Sequence, residues 1–144
     1  ISTMPSFTSL IARETGPKAM ARAGITHDDI DLTMIYDSFT YTVMLTLEGL
    51  GFCRPGEAAD FVSGQRTAPG GDFPLNTNGG GLSYTHPGMY GSFLLVEAVR
   101  QLRGECGERQ VKKRLDPNHN PEISIVNGTG GSLSSTGTVV LATT

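Results

Sequence analysis

The densest feature of the sequence is the segment 76–91, where three consecutive glycines and a His-Pro pair come before a long amphipathic pattern. Such glycines let the backbone adopt positive φ or approach a ligand closely, and at the start of a helix they direct N–H groups towards an anion. Neither a P-loop nor a dinucleotide fingerprint fits, because the segment lacks a Lys-Ser/Thr pair and its glycine spacing differs. The segment therefore predicts a glycine-lined loop before a helix.

The apolar residues on both sides of this loop follow helical and extended patterns in turn. Helix-like spacing covers 6–23, 39–51 and 93–104, and β-type runs cover 32–36, 123–126 and 138–141. Loops are expected at 54–71, with room for one helical turn, and at 105–121. The order of these elements predicts an α/β domain in which a mixed sheet is layered with helices.

Several residues are placed to end or join these elements. Gly24 can end the first helix, while Gly16-Pro17 allows either two helices or one with a break. Asp37 or Ser38 is positioned to cap the helix at 39–51. The last two strands flank the segment 128–131 as in a hairpin or a pair of adjacent strands.

Length and composition fit one domain covering residues 1–144, since 38% of the residues are hydrophobic and 17% are charged. A net charge of -3 leaves no broad cationic surface for nucleic acid, and no apolar run is long enough to span a membrane. Cys53 and Cys106 form no metal or redox motif, so free thiols, no metal site and a cytoplasmic location are expected. Because the chain begins with Ile1 rather than Met, we expect a fragment of a longer enzyme.

His86 is the side chain of the glycine-rich segment that exchanges a proton near neutral pH. An imidazole can accept a proton from a substrate or donate to a developing oxyanion. The alternative is a loop histidine that caps the next helix. The residue chemistry alone leaves both interpretations open.

The spacing of Asn76, Gly79, Gly80, His86 and Pro87 resembles the third signature block of thiolases, in which Asn-x-x-Gly-Gly is followed by His-Pro. Two further blocks come in the family's order. Tyr-Asp-Ser-Phe at 36–39 resembles the His-Asp-Cys-Phe block of sterol-carrier-protein-type thiolases, and Gly-Thr-Gly-Gly at 128–131 resembles their C-terminal glycine loop. The chain is thus similar to the C-terminal half of a thiolase, which implies one half of a thiolase-like fold.

The resemblance also implies roles for individual residues. In thiolases the His-Pro histidine helps to activate a cysteine nucleophile on the other half of the enzyme and donates to the thioester oxygen, which would be the role of His86. Amides of the glycine loop complete a second oxyanion hole. The positions carried over for substrate and oxyanion binding are Asn76, Gly79, Gly80, Gly128 and Gly130.

Three residues depart from the family pattern, one of which is Thr85 in place of the glycine before the family's histidine. Tyr36 stands where the family has His, and Ser38 stands where it has the Cys that serves as acid and base. A serine hydroxyl stays protonated near neutral pH, whereas a thiol ionises near pH 8.5, roughly, so thiolysis by the family's mechanism is not expected. The pattern looks closer to the lipid-transfer-protein branch of thiolase-like proteins, some of which are retro-aldolases acting on steroid acyl-CoA side chains.

A retro-aldol reaction needs a base for a β-hydroxyl group and a donor to the thioester enolate. The candidates for these roles are His86, Tyr36, Tyr84 and Asp37. For Asp37 the alternative is a helix cap, and for each tyrosine it is a buried aromatic with a satisfied hydroxyl. Cys53 has no motif around it and is expected to be a packing residue.

Three functions stay open. They are a retro-aldolase or related lyase on an acyl-CoA, a true acetyl-CoA acyltransferase or thiolase whose nucleophilic Cys lies in the missing N-terminal half, and a non-catalytic lipid- or acyl-CoA-binding module. Coenzyme A is expected as part of the substrate, without a covalently bound cofactor. The resemblance further implies a homodimer and, for the lipid-transfer branch, a small OB-fold/zinc-ribbon partner protein.

Overall fold

The computed structural model describes residue 8, residues 10–114 and residues 116–144. In chain order the elements are α1 (Ala12–Ala23), β1 (Leu32–Ile35), α2 (Thr40–Leu50), α3 (Ala58–Val62), α4 (Gly80–Ser83), α5 (Tyr90–Leu102), β2 (Ile123–Gly130) and β3 (Ser135–Ala142). Ser6 and Phe7, with which the first predicted helix begins, lie outside the described residues. No helix of the described chain is long and apolar enough to cross a membrane.

The three strands form one mixed sheet in the order β1-β2-β3. β1 runs parallel to β2, and β2 and β3 form an antiparallel hairpin. All four residues of β1 are buried, which accounts for its mostly apolar sequence without alternation. At the free edge of β1, Leu75 makes a parallel bridge with Thr33, so the chain enters the glycine-rich segment alongside this strand.

Alternate residues of the sheet face two apolar layers. Ile35 and Ile125 pack with apolar residues of α1 and α2. Met34 and Val126 face the other way and pack with Leu94 and its neighbours on α5. Helices therefore lie on both faces of the sheet, which confirms the predicted α/β layering.

Helix α1 runs unbroken through Gly16 and Pro17, so one helix forms rather than two. Pro17 lacks an N–H group and costs the helix one hydrogen bond. A Cβ on Gly16 would lie 2.7 Å from Cδ2 of Leu50, so glycine lets α1 pack closely against α2. Gly24, with φ of +69°, ends the helix as predicted.

The predicted N-terminal cap of α2 is wrong. Neither Asp37 nor Ser38 caps this helix, because the N-cap residue is Phe39. The Phe39 N–H group donates to the hydroxyl of Thr42 over 3.1 Å. Asp37 is unavailable because its carboxylate binds a different segment of the chain.

The glycine loop expected at 128–131 is mostly strand. β2 continues through Gly130 and pairs with β3, with Gly128 opposite Gly137, so the hairpin is confirmed and its turn lies later than expected. The Thr136 hydroxyl donates to the Gly128 carbonyl over 2.9 Å and adds to this pairing. The turn begins at Gly131, whose φ of +55° favours glycine.

Candidate active site

Tyr36 follows β1 directly and continues its pairing, since its N–H group donates to the Asn127 carbonyl over 2.9 Å. Its side chain belongs to the layer beneath α5 and is 7% exposed. The centroid of its ring lies 6.1 Å from that of Tyr90 and 5.6 Å from that of His86. These contacts hold the phenol against the His-Pro segment.

His86 contacts the phenol of Tyr36 through one nitrogen of its ring. Nδ1 lies 3.0 Å from the Tyr36 hydroxyl oxygen, and the same oxygen lies 3.4 Å from the Pro87 carbonyl oxygen. His86 is otherwise exposed. Within the described residues Nε2 has no hydrogen-bond partner, so this atom is available to a molecule that binds from outside.

Burial raises the pKa of the Tyr36 phenol, and the negative charge of neighbouring Asp37 raises it further. The hydroxyl therefore stays protonated near neutral pH and can donate a hydrogen bond. A buried donor behind an exposed imidazole can fix which ring nitrogen carries the proton.

Asp37 is buried and binds the start of α4. Its Oδ1 accepts from the Gly81 N–H group over 2.7 Å, and its Oδ2 accepts from the Leu82 N–H group over 3.1 Å. A carboxylate in this position caps the helix and interacts with its dipole. Asp37 thus caps a helix more than 40 positions away along the chain, and a catalytic role for its carboxylate stays a prediction.

Gly80 is required by this contact. Its φ is +69°, and a Cβ at this position would lie 2.1 Å from Oδ2 of Asp37. The amides predicted to bind substrate are occupied within the loop, because Gly79 donates to the Asn76 carbonyl over 2.7 Å and Gly80 donates to Asn78 Oδ1 over 3.0 Å. Both glycines therefore shape the loop, and a substrate contact of either stays a prediction.

Asn76 also serves the backbone. Its Oδ1 accepts from the Ile35 N–H group and its Nδ2 donates to the Ile35 carbonyl, each over 2.8 Å. The side chain therefore pairs with the last residue of β1 as a neighbouring strand would. The structure thus places Asn76, one of the predicted site residues, next to Tyr36. Both polar atoms of its side chain are hydrogen-bonded to the Ile35 backbone.

The pairing of β2 determines the direction in which the amides of residues 128–130 point. In an antiparallel pair, successive residues direct their backbone groups to opposite sides. Asn127 directs its carbonyl towards β1, so Gly128 and Gly130 direct their amides towards β3, where they pair within the sheet. By the same alternation the Thr129 amide faces the β1 side beyond the end of that strand, and an oxyanion contact of Gly128 or Gly130 stays a prediction.

Among the described residues, neither Tyr84 nor Ser38 is hydrogen-bonded to the Tyr36–His86 pair. Tyr84 is 70% exposed and lines a cavity of about 340 Å³ beside α5, so the interpretation as a buried aromatic is wrong for it. No hydrogen bond joins it to Tyr36 or His86 among the described residues. The Ser38 hydroxyl lies 2.9 Å from the Thr42 hydroxyl at the start of α2.

An ion pair behind the glycine-rich segment, between buried Glu97 and partly exposed Arg109, was not predicted from the sequence. Glu97 on α5 binds Arg109 and also accepts from the Thr77 hydroxyl over 2.8 Å. The available signal was a carboxylate on the apolar face of an amphipathic helix, between Leu94 and Ala98, because a charge at such a position requires a partner.

A family model described as "Thiolase C-terminal domain-like" matches residues 1–143. The chain belongs to this family. The thiolase-type domain is 44% identical over 91 residues to a 17-hydroxy-3-oxo-4-pregnene-20-carboxyl-CoA lyase of Mycobacterium tuberculosis, which covers 62% of this chain and 22% of the lyase. It is 37% identical over 102 residues to sterol carrier protein 2 of Homo sapiens, which covers 70% of this chain and 19% of that protein.

A solved structure described as an Ltp2-ChsH2 aldolase has the same fold, with a TM-score of 0.75 and 31% identity. The likeness covers 97% of this chain and 34% of the solved chain. The predicted resemblance to thiolases, with sterol-carrier-protein and lipid-transfer relatives, is confirmed, as is the α/β half-domain. The thiolase-type domain spans 22% and 19% of the two curated relatives.

Proposed function

We propose that this thiolase-type domain supplies acid–base chemistry for the cleavage of a carbon–carbon bond in an acyl-CoA, by a retro-aldol reaction of a β-hydroxyacyl thioester. The observation that carries the proposal is the pair of buried Tyr36 and exposed His86, 3.0 Å apart, with Nε2 of the imidazole unpaired in the described chain. The full-length protein is the enzyme, and coenzyme A is part of the substrate.

The two contacts of the Tyr36 hydroxyl favour one arrangement of protons. When Tyr36 donates to the Pro87 carbonyl, its oxygen accepts the proton of His86 Nδ1, and both contacts are used. The lone pair of the imidazole is then on Nε2, as a general base requires. In the other tautomer Tyr36 donates to Nδ1 and the contact with Pro87 is lost.

In the first arrangement His86 Nε2 removes the proton of the β-hydroxyl group. The electrons of the O–H bond form the carbonyl of the leaving aldehyde or ketone, the bond between the α and β carbons breaks, and its electrons form the thioester enolate. The protonated imidazole returns the proton to the α carbon, which leaves a shortened acyl-CoA. The proposed donor to the enolate oxygen is the Thr129 amide.

Three further observations support a retro-aldol reaction over thiolysis. Ser38, at the position of the family's second cysteine, bonds Thr42 and has no thiol to offer. Both cysteines are free, but Cys53 packs against the core beside α2, and Cys106 is buried beside Glu97. The lyase and the aldolase among the relatives carry names for this type of chemistry.

The aldolase structure has two components in its description, and by likeness we propose that the full-length protein also works with a second protein. A small OB-fold/zinc-ribbon protein is the proposed partner, and the full-length chain is proposed to form a homodimer in the cytoplasm. Light scattering of the full-length protein, alone and after co-purification, measures both. A monomer without a co-purifying protein would contradict both parts.

The test of the reaction uses the full-length protein with two substrates, a β-hydroxyacyl-CoA alone and a β-ketoacyl-CoA with free CoA. We expect cleavage of the first, and a loss of at least about 100-fold in His86→Ala, because general acid–base groups contribute about 100- to 10,000-fold. His119→Ala is the matched control, since this exposed histidine bonds Asp116 away from the site. Its rate should stay within about twofold of the parent, as for surface substitutions generally.

The other outcomes contradict the proposal in different ways. Unchanged cleavage by His86→Ala removes the role of the imidazole. If the protein turns over the β-ketoacyl-CoA with free CoA but not the β-hydroxyacyl-CoA, it is an acyltransferase. No turnover of either substrate makes it a binding module.

A further inference from the structure

Glu97 is a charged residue at a core position. It lies on α5 and is 3% exposed, next to Ala98 and close to Leu94, both of which are fully buried. Burying a carboxylate is costly unless charged and hydrogen-bonding partners compensate it. The surroundings of Glu97 should therefore explain why the core contains a charge.

The partners of Glu97 come from two other segments of the chain as well as from α5. Arg109 binds both carboxylate oxygens, with Nε 3.0 Å from Oε1 and Nη2 3.0 Å from Oε2. Oε1 also accepts from Gln101 Nε2 over 3.1 Å and from the Thr77 hydroxyl over 2.8 Å, and the Cys106 thiol lies 3.6 Å away. Burial raises the pKa of Glu97, but the hydrogen bonds from Arg109, Thr77 and Gln101 outweigh it, so the pKa is lowered and the carboxylate is charged.

The Thr77 hydroxyl links Glu97 to the glycine-rich segment, which contains His86 and contacts Tyr36. Asn76, on one side of it, pairs with the backbone of Ile35, the residue before Tyr36. Asn78, on the other side, donates from Nδ2 to the Tyr90 hydroxyl over 3.2 Å. The rings of Tyr90 and Tyr36 are in contact, so the neighbours of Thr77 reach Tyr36 from the backbone side and from the ring side.

We infer that Glu97 is a positioning residue. Through Thr77 it fixes Asn76 and Asn78, and through these it fixes the phenol of Tyr36 at hydrogen-bond distance from His86. The consequence for catalysis rests on the proposed function, whereas the consequence for the geometry of His86 does not. The ion pair with Arg109 keeps Glu97 charged and oriented.

Stability alone is a weaker explanation of this network. A buried ion pair can often be replaced by apolar residues without loss of stability, because desolvation offsets the attraction of the charges. A group with fixed hydrogen-bond directions, by contrast, sets the position of its partners. The test must therefore separate the placement of the Tyr36–His86 pair from the stability of the fold.

Thr77→Val in the full-length protein makes this separation. Valine keeps the branched shape and leaves the Glu97–Arg109 ion pair in place, but it removes the hydroxyl that donates to Glu97 and accepts from Gln101 Nε2 over 3.0 Å. Thr77→Ser is the rescue variant because it restores the hydroxyl. Thr15→Val is the matched control, since it removes a hydroxyl contact of similar length, 2.7 Å to Thr138, between α1 and β3.

Two measurements are made on each variant, the steady-state constants and the nitrogen and carbon chemical shifts of the His86 ring. We expect Thr77→Val to lower kcat by about 10-fold or more with little change in KM, since small misplacements of reacting groups can cost up to about 100-fold. The His86 resonances should shift in Thr77→Val and return in Thr77→Ser. Thr15→Val should leave both measurements at the parent values.

A Thr77→Val protein with the parent's kcat and His86 resonances would overturn the inference, as would a change that Thr77→Ser does not reverse. Glu97→Gln, which removes the charge at constant size, provides a second arm if Thr77→Val does not fold, and it should shift the same resonances. If the parent itself turns over no substrate, the proposed function fails, and the His86 resonances alone decide the positioning role.

Discussion

Replacing Gly80 with alanine tests how the loop before His86 is held. In the folded chain Gly80 has φ of +69°, and an alanine Cβ would lie 2.1 Å from Oδ2 and 2.7 Å from Cγ of Asp37. The Asp37 carboxylate would have to leave its place. It would then lose its hydrogen bonds from the amides of Gly81 and Leu82.

The size of the effect follows from two contributions. A left-handed backbone costs a non-glycine residue about 1–2 kcal/mol. Loss of at least one hydrogen bond to the charged Asp37 carboxylate adds about 1.5–3 kcal/mol. Gly80→Ala should therefore lower the free energy of unfolding by about 3 kcal/mol or more, most of which arises from Asp37.

Urea denaturation followed by circular dichroism measures this free energy in four proteins: the parent, Gly80→Ala, Asp37→Ala and the double variant. If the clash with Asp37 dominates, Gly80→Ala should cost only the backbone strain, about 1–2 kcal/mol, once Asp37 is already alanine. Gly88→Ala is the control, because a Cβ there would meet no atom within 4 Å. An equal cost of Gly80→Ala in both backgrounds would refute the reasoning.

Three further predictions concern other parts of the same framework. Asn76→Ala should lower the free energy of unfolding by about 3 kcal/mol in the same urea assay, because both backbone groups of Ile35 lose their partner, and a loss below about 1 kcal/mol would contradict the pairing. Hydrogen bonding lowers the folded-state pKa of Glu97 despite its burial, so its contribution is present above the unfolded pKa and is lost as the pH falls through the folded pKa. The difference in unfolding free energy between the parent and Glu97→Gln should accordingly shrink on acidification below about pH 4.3, and a constant difference would contradict a lowered pKa. Burial raises the pKa of both thiols, and Cys106 is also inaccessible, so an aromatic disulfide reagent should label Cys53 slowly in the native protein and Cys106 only after unfolding.

The sequence was sufficient to predict the elements whose burial produces a regular spacing of apolar residues. The strands at 32–35 and 123–130 and the helix at 90–102 were each predicted within a few residues, since a core-facing stripe or a fully buried run is visible in the order of apolar residues. Boundaries were less certain where hydrogen bonds decide them. β2 extends through Gly130 because β3 pairs with it there, and no local propensity of glycine favours a strand.

The sequence names candidate members of the site, but it does not give the contacts that the structure shows between them. His86 was identified by its spacing from Asn76, yet nothing local indicates that its ring meets Tyr36, 50 positions earlier. The partners of Asp37 are equally distant, so its oxygens were assigned to the nearest helix instead of α4. Such contacts depend on how the elements pack against each other. The spacing of apolar residues within a single helix or strand contains no information about them.

The same packing explains why a tyrosine can occupy position 36 without disturbing the loop that carries His86. Tyr36 lies between two residues that are each tied to the segment 76–82, Ile35 through its backbone to Asn76 and Asp37 through its carboxylate to Gly81 and Leu82. None of these contacts uses the side chain of Tyr36. The backbone at position 36 is therefore fixed by its neighbours, and the side chain there determines which group meets Nδ1 of His86. A phenol at this point presents a hydroxyl that stays protonated near neutral pH, and its oxygen lies within hydrogen-bond distance of both Nδ1 of His86 and the Pro87 carbonyl.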